Sequence, residues 1–164
     1  PTPPVFDGPE NRNGKRNHDE IRFWVDYLQP TQATYIYDDQ GTTGGLAAGS
    51  RFVIVGDLNA SAEGEGDAIH SGILSLVQHL LVNGSFVPTS IGAAEHSPDR
   101  PHAASHTASW RMRADYVLPS KQGLKIKEGG VFWPAKADAD YPLVGTRDAS
   151  SDHRLVWLTL QLTD

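Results

Sequence analysis

Three short stretches of this chain place reactive side chains where structure alone does not call for them. In VIVGDLNA, Val53 to Ala60, an apolar run ends on Gly56-Asp57, and Asn59 follows two residues after Asp57. Side chains two apart in a strand point to the same side, so Asp57 and Asn59 project together from the strand's exit as an acceptor beside a donor. The plainer alternative is a turn, because Gly tolerates positive φ while Asp and Asn bond their own backbone. In SSDHRLVWLTL, Asp152 and His153 stand immediately before an apolar strand, which puts them at a sheet rim. In RMRADYVLPS, Asp115 interrupts an otherwise apolar strand, and a buried carboxylate needs a partner.

One arrangement joins the three. Asp115 accepts a hydrogen bond from one ring nitrogen of His153, which fixes the tautomer and favours the imidazolium, and the other nitrogen faces a point shared with Asp57 and Asn59. Such a set is equipped for acid–base chemistry. Against it stands a structural ion pair of Asp115 with Arg113 or Arg111, with Asp152 only capping a turn. Other candidates have plain alternatives too. Tyr116 and Trp110 are able to stack on a base or sugar, but aromatic residues around strands are more often core. His102 and His106 are four apart, as in helical zinc pairs, yet the Pro-containing loop around them gives little reason for a helix. Arg100, and the Lys15-Arg16 pair, are candidate phosphate contacts or merely solvated charges.

The elements that must position these groups follow from periodicity. PTPPVFDGPENRNGKRN reads as a loop or strand exit. Asn17 as cap, with Glu20 at the third helical position, predicts a helix carrying Ile21, Trp24, Val25 and Leu28 up to Pro30. A short strand is expected over 33–37, then the Gly-rich connector GTTGGLAAGS, then RFVIVGD as a buried strand. A second helix carries Ile73, Leu74, Val77, Leu80 and Leu81 and stops at Asn83-Gly84. Residues 86–110 read as a long surface loop of the kind that lines sites. Three strands follow: MRADYVLPS, LKIKEGGVFW and RLVWLTLQL, the last apolar on both faces and so expected to be central and covered on both sides. The fold class is α/β, helices packed over a mixed sheet, with no internal repeat and no linker.

Bulk composition bounds the partners. A chain of 164 residues with a net charge of −6 has no broad basic groove to track a nucleic-acid backbone, so any phosphate contact is local. An excess of carboxylates suits hard cations with oxygen ligands. With no Cys there are no disulfides and no thiolate metal sites, a fact that does not fix the compartment. No apolar run approaches the roughly 20 residues that cross a bilayer. The compartment stays open, with a secreted or periplasmic location placed ahead of the cytoplasm.

VGDLNA, RADYVLPS and SDHRLVWLTL, in that order, resemble the second half of the endonuclease/exonuclease/phosphatase family, the DNase I-like phosphoesterases. The family's motifs read G-D-x-N, R-x-D-Y and S-D-H, and the similarity runs from about Asp19 onward. The resemblance implies a four-layer α/β sandwich of two sheets with helices outside, and hydrolysis of phosphodiester bonds in nucleic acid, a phospholipid or an inositol phosphate. It implies that Asp57 orients or deprotonates the water, that Asn59 donates to a phosphoryl oxygen, and that His153, braced by Asp115, contacts the phosphate. Asp152 and Asp57 are then the carboxylates at a Mg²⁺ or Mn²⁺ site. The family's earlier half, with its metal-binding Glu and a His, has no match here. Residues 1–164 are therefore expected to be the carboxyl-terminal portion of one domain, an incomplete sandwich that self-associates or takes its missing half as partner. A non-catalytic interaction domain, or an inactive fragment, is the alternative.

Overall fold

The computed structural model describes residues 1–164. Helix α1 spans Arg12–Tyr27, β1 Val53–Asp57, α2 His70–Val77, α3 Ile91–His96, β2 Asp115–Pro119, β3 Leu124–Phe132 and β4 Leu155–Leu162. The strands form two separate antiparallel pairs, β1 with β2 and β3 with β4, so the fold is α/β with small antiparallel sheets and the expected mixed sheet is corrected. No helix is long and apolar enough to cross a membrane.

The main core lies on one face of the β1/β2 pair. Ile54, opposite Leu118, and Tyr116, opposite Gly56, point inward, where Ile21 of α1, Leu28 at its C-cap, and Ile73 and Leu76 of α2 cover them. The other face carries Val53, Val55 and, at the strand end, Asp57 opposite Asp115. That face is open: Val55 is 64% exposed, so β1 is buried on one side only. A smaller cluster of Ala93, Val131, Trp133 and Val144 joins α3 to β3. It forms because α3 approaches the chain closely, so that a Cβ on Gly92 would lie 2.3 Å from the carbonyl oxygens of Trp133 and Pro134.

Several boundaries depart from the sequence pattern for identifiable reasons. Helix α1 starts at Arg12, five residues before the expected cap, because the Asp7 carboxylate accepts the free N–H groups of Asn13 (2.7 Å) and Gly14 (2.9 Å). Asn17 is instead buried inside the helix, and Glu20 accepts hydrogen bonds from Thr2 rather than closing a capping box. Residues Ala33–Tyr35 form a 3₁₀ turn in place of the expected strand, leaving only an isolated bridge between Tyr37 and Thr43. Helix α2 ends at Val77, short of Asn83-Gly84, and Leu80 faces solvent. The expected loop over 86–110 contains α3, capped by the Ser90 hydroxyl on the Ala93 N–H (3.2 Å), and a 3₁₀ turn at Ala103–Ser105. β4 is not covered on both sides: Leu155 and Leu162 are exposed. Apolar composition specifies a strand, but it does not supply the element that covers it.

Candidate functional site

The site is built where three segments end together on the open face of β1/β2. Register does the first part. Asp57, the last residue of β1, lies directly opposite Asp115, the first of β2, and paired residues in an antiparallel ladder share a side. The chain then breaks sharply. Gly56 has φ +137, a conformation that side chains rarely adopt, and Asn59 has φ +48. The turn is pinned from below, because the Leu58 N–H donates to the Ala114 carbonyl (2.8 Å) and the Asn17 amide donates to the Leu58 carbonyl (2.9 Å).

The second part is a short connector, residues 107–109. Its Thr107 N–H donates to the Met112 carbonyl (3.0 Å), and its Thr107 carbonyl accepts the Arg154 N–H (2.7 Å). Ala108 bridges both Met112 and His153, and the Ser109 N–H donates to the Asp152 carbonyl (2.8 Å). The entry of β4 is thereby laid alongside the entry of β2, and His153 is carried to Asp115.

The resulting geometry is compact. His153 Nδ1 lies 3.0 and 3.1 Å from the two Asp115 oxygens, and its Nε2 lies 3.9 Å from an Asp57 oxygen. Ligand atoms of Asp57, Asp115 and His153 all fall within 4.8 Å of one another. Arg113 does not compete for Asp115: it is bound to Glu63 (3.3 Å) and stacked over the Tyr116 ring. Asn59 folds back on Asp57, its N–H reaching one carboxylate oxygen (2.8 Å) and its side-chain amide the other (2.7 Å). The same amide also donates to the Pro1 carbonyl (2.9 Å), so both its hydrogens are engaged. Asp152 stands apart from the cluster, its carboxylate paired with Arg147 at 3.1 Å.

Electrostatics follow from this packing. Burial pushes the Asp57 pKa up, the Asn59 N–H draws it back, and the Asp115 charge adds to the rise; the net shift is upward. For His153 burial acts downward, but the hydrogen bond to Asp115 and the charges of Asp115, Asp57 and Asp152 outweigh it, so its pKa is raised. The ring thus favours its protonated form beside two carboxylates.

Of the remaining candidates, Tyr116 is core: it is 2% exposed, its hydroxyl donates to the Ala60 carbonyl (2.9 Å) and accepts the Ala62 N–H (3.0 Å), and burial pushes its pKa up. Trp110 is exposed and packs edge-on against His153, ring centroids 4.8 Å apart. His102 faces solvent while His106 is buried against Glu65 (2.8 Å), so the two make no zinc pair. Arg100, Lys15 and Arg16 are exposed and lie outside the cluster. Sequence reasoning missed Thr107, whose hydroxyl donates to Asp115 (2.7 Å), and Ser151, whose hydroxyl accepts the His153 N–H (3.1 Å). Neither has a sequence signal, since each is an ordinary hydroxyl in a loop.

No curated protein and no solved structure matches the chain significantly. A model of the Endonuclease/Exonuclease/phosphatase family matches residues 2–153, which takes in α1 to β3 and all three strand-end motifs, and ends on His153. The family's members are generally hydrolases of phosphoester substrates that use divalent metals. With the match covering most of its length, this chain belongs to the Endonuclease/Exonuclease/phosphatase family.

Proposed function

We propose that the chain acts in a metal-dependent phosphoesterase that hydrolyses phosphodiester bonds of nucleic acid, a phospholipid head group or an inositol phosphate. The observation that supports this most is the convergence of Asp57, Asp115 and His153 at one rim, their ligand atoms within 4.8 Å of one another. The carboxylates at this rim suit a hard divalent ion that keeps several waters, so the site fits Mg²⁺ or Mn²⁺, with Asp57 as the proposed ligand inside the cluster and Asp152 as a second ligand that must first exchange its Arg147 partner for the ion. When bound, such an ion supplies positive charge to phosphoryl oxygens.

The protein groups divide the remaining work. Asp57, made more basic by burial, orients the attacking water and accepts its proton. His153 keeps Nδ1–H on Asp115 and offers Nε2 to a phosphoryl or leaving oxygen. Asn59 donates to a phosphoryl oxygen that takes the position now held by the Pro1 carbonyl. Asp115 acts through His153.

The reading includes an amino-terminal complement that brings a further Glu and His. Each sheet has two strands, and the outer faces bearing Val55 and Leu155 are bare, a state that calls for cover. Those same faces favour a second reading, a non-catalytic interaction domain. The test joins the chain to its complement and assays plasmid DNA, bis(p-nitrophenyl) phosphate and sphingomyelin with Mg²⁺ or Mn²⁺. Turnover of at least one, abolished by EDTA, is expected. Inertness toward all three returns the interaction reading.

A further inference from the structure

Thr107 is 1% exposed, and every hydrogen-bonding capacity of its side chain is assigned. A hydroxyl has one proton to donate and two lone pairs to accept. Here the Ala114 and Asp115 N–H groups, each 3.0 Å away, fill the lone pairs. The proton has one remaining direction, the Asp115 oxygen at 2.7 Å. That same oxygen lies 3.0 Å from His153 Nδ1. The Thr107 carbonyl meanwhile holds the Arg154 N–H, the backbone amide next to His153, at 2.7 Å. One residue therefore grips the carboxylate by its side chain and the strand that carries the imidazole by its backbone.

We infer that Thr107 is a positioning residue that locks the Asp115 carboxylate toward His153 and thereby sets which ring nitrogen carries the proton. This rests on the proposed role of His153 for its catalytic meaning, but its structural content stands without it. An imidazole left to itself in water prefers the Nε2–H tautomer. Held to Asp115, the neutral ring is kept as Nδ1–H, which leaves Nε2 with a free lone pair toward Asp57. If the hydroxyl is removed, the two backbone N–H groups lose their acceptor and compete for the Asp115 carboxylate that the hydroxyl had held. Turning to them, it leaves the ring.

The test is long-range ¹H–¹⁵N NMR of the His153 ring in alkaline buffer, where the ring is neutral, on the 164-residue protein without metal or substrate. The variants are Thr107→Val, which keeps shape and loses the hydroxyl, Thr107→Ser, which keeps it, and Asp115→Ala as the unbraced reference. Wild type and Thr107→Ser should hold Nδ1–H, and Thr107→Val should move to the tautomer of Asp115→Ala. A Thr107→Val ring identical to wild type overturns the inference, as does a Thr107→Ser ring identical to Thr107→Val. A collapsed amide spectrum for Thr107→Val also overturns it, because Thr107 then serves the fold and not the ring. In the turnover assay of the complemented enzyme, Thr107→Val should lower kcat by about 10- to 100-fold with KM little changed and Thr107→Ser should restore it. A wild type without turnover sinks the phosphoesterase reading and leaves the tautomer result intact.

Discussion

At the scale of single residues, the division of labour is set by which lone pairs and protons are already committed. Asp57 has both oxygens hydrogen-bonded by Asn59, which orients the carboxylate without neutralising it, while burial and the facing Asp115 raise its basicity. His153 has Nδ1 committed and Nε2 open. Under the proposed roles, removing either group takes away a function that no neighbour replaces: Asn59 and Thr107 carry no base, and the Asp152 carboxylate is held by Arg147. If the proposed phosphoesterase reading holds, Asp57→Ala and His153→Ala should therefore each lower kcat by about 10² or more, since proton transfer and oxyanion contacts are each worth that much. Parallel kcat and KM measurements check it, and a loss confined to KM would move both residues from the chemical step to substrate binding. The convergence of Asp57, Asp115 and His153 was legible in the sequence because each stands at an end of an apolar run, where strands meeting at one rim bring such groups together. Thr107 was not, because a threonine in a loop is costly nowhere until the strands beside it are known.

At the scale of elements, the site depends on two backbone devices. The connector 107–109 draws the β2 and β4 entries together, and the turn after β1 throws Asp57 and Asn59 into contact. Gly56 is the hinge of that turn. A Cβ there meets nothing within 4 Å, so the cost of Gly56→Ala lies in the backbone at φ +137 and not in a clash. That cost is on the order of 1–3 kcal/mol. Denaturant unfolding should show a lower midpoint with an unchanged slope, and a midpoint equal to wild type would mean the turn relaxes freely. Periodicity located both long helices and β1 to β4, because an apolar stripe or run records which side is covered. It misplaced the α1 start, where the capping carboxylate is Asp7, outside the helix by several residues, and it missed α3, which is six residues long and held by Gly92 packing against Trp133–Pro134. Carboxylates and hydroxyls just outside the helix decide such starts, and apolar periodicity does not register them. The sheet was misjudged for the same reason: nothing within RLVWLTLQL says that its only ladder partner is β3.

At the scale of the whole molecule, two histidines in opposite surroundings bound the pH range of greatest stability. His79 is buried, its Nδ1 accepting the Leu81 N–H (3.3 Å), and burial followed by the Lys121 charge lowers its pKa below 6.5. The unfolded chain then binds a proton that the folded chain refuses, so stability is lost as pH falls from 6.5 toward the folded value. For His153 the folded pKa lies above 6.5, the folded chain binds the extra proton, and stability is lost as pH rises from 6.5 through the folded value. Over roughly pH 5 to 8, where histidine dominates titration, chemical denaturation should give a dome with its top near the ordinary histidine pKa. His79→Gln should flatten the acid limb alone and His153→Asn the alkaline limb alone. The two side chains have no partner in common, His79 contacting Gln29 and Leu81 and His153 contacting Asp115 and Asp57, so their effects should add. A His79→Gln protein that loses the alkaline limb, or a wild type whose stability climbs steadily across the range, would mean that the Asp115 contact does not hold the His153 proton in the folded state.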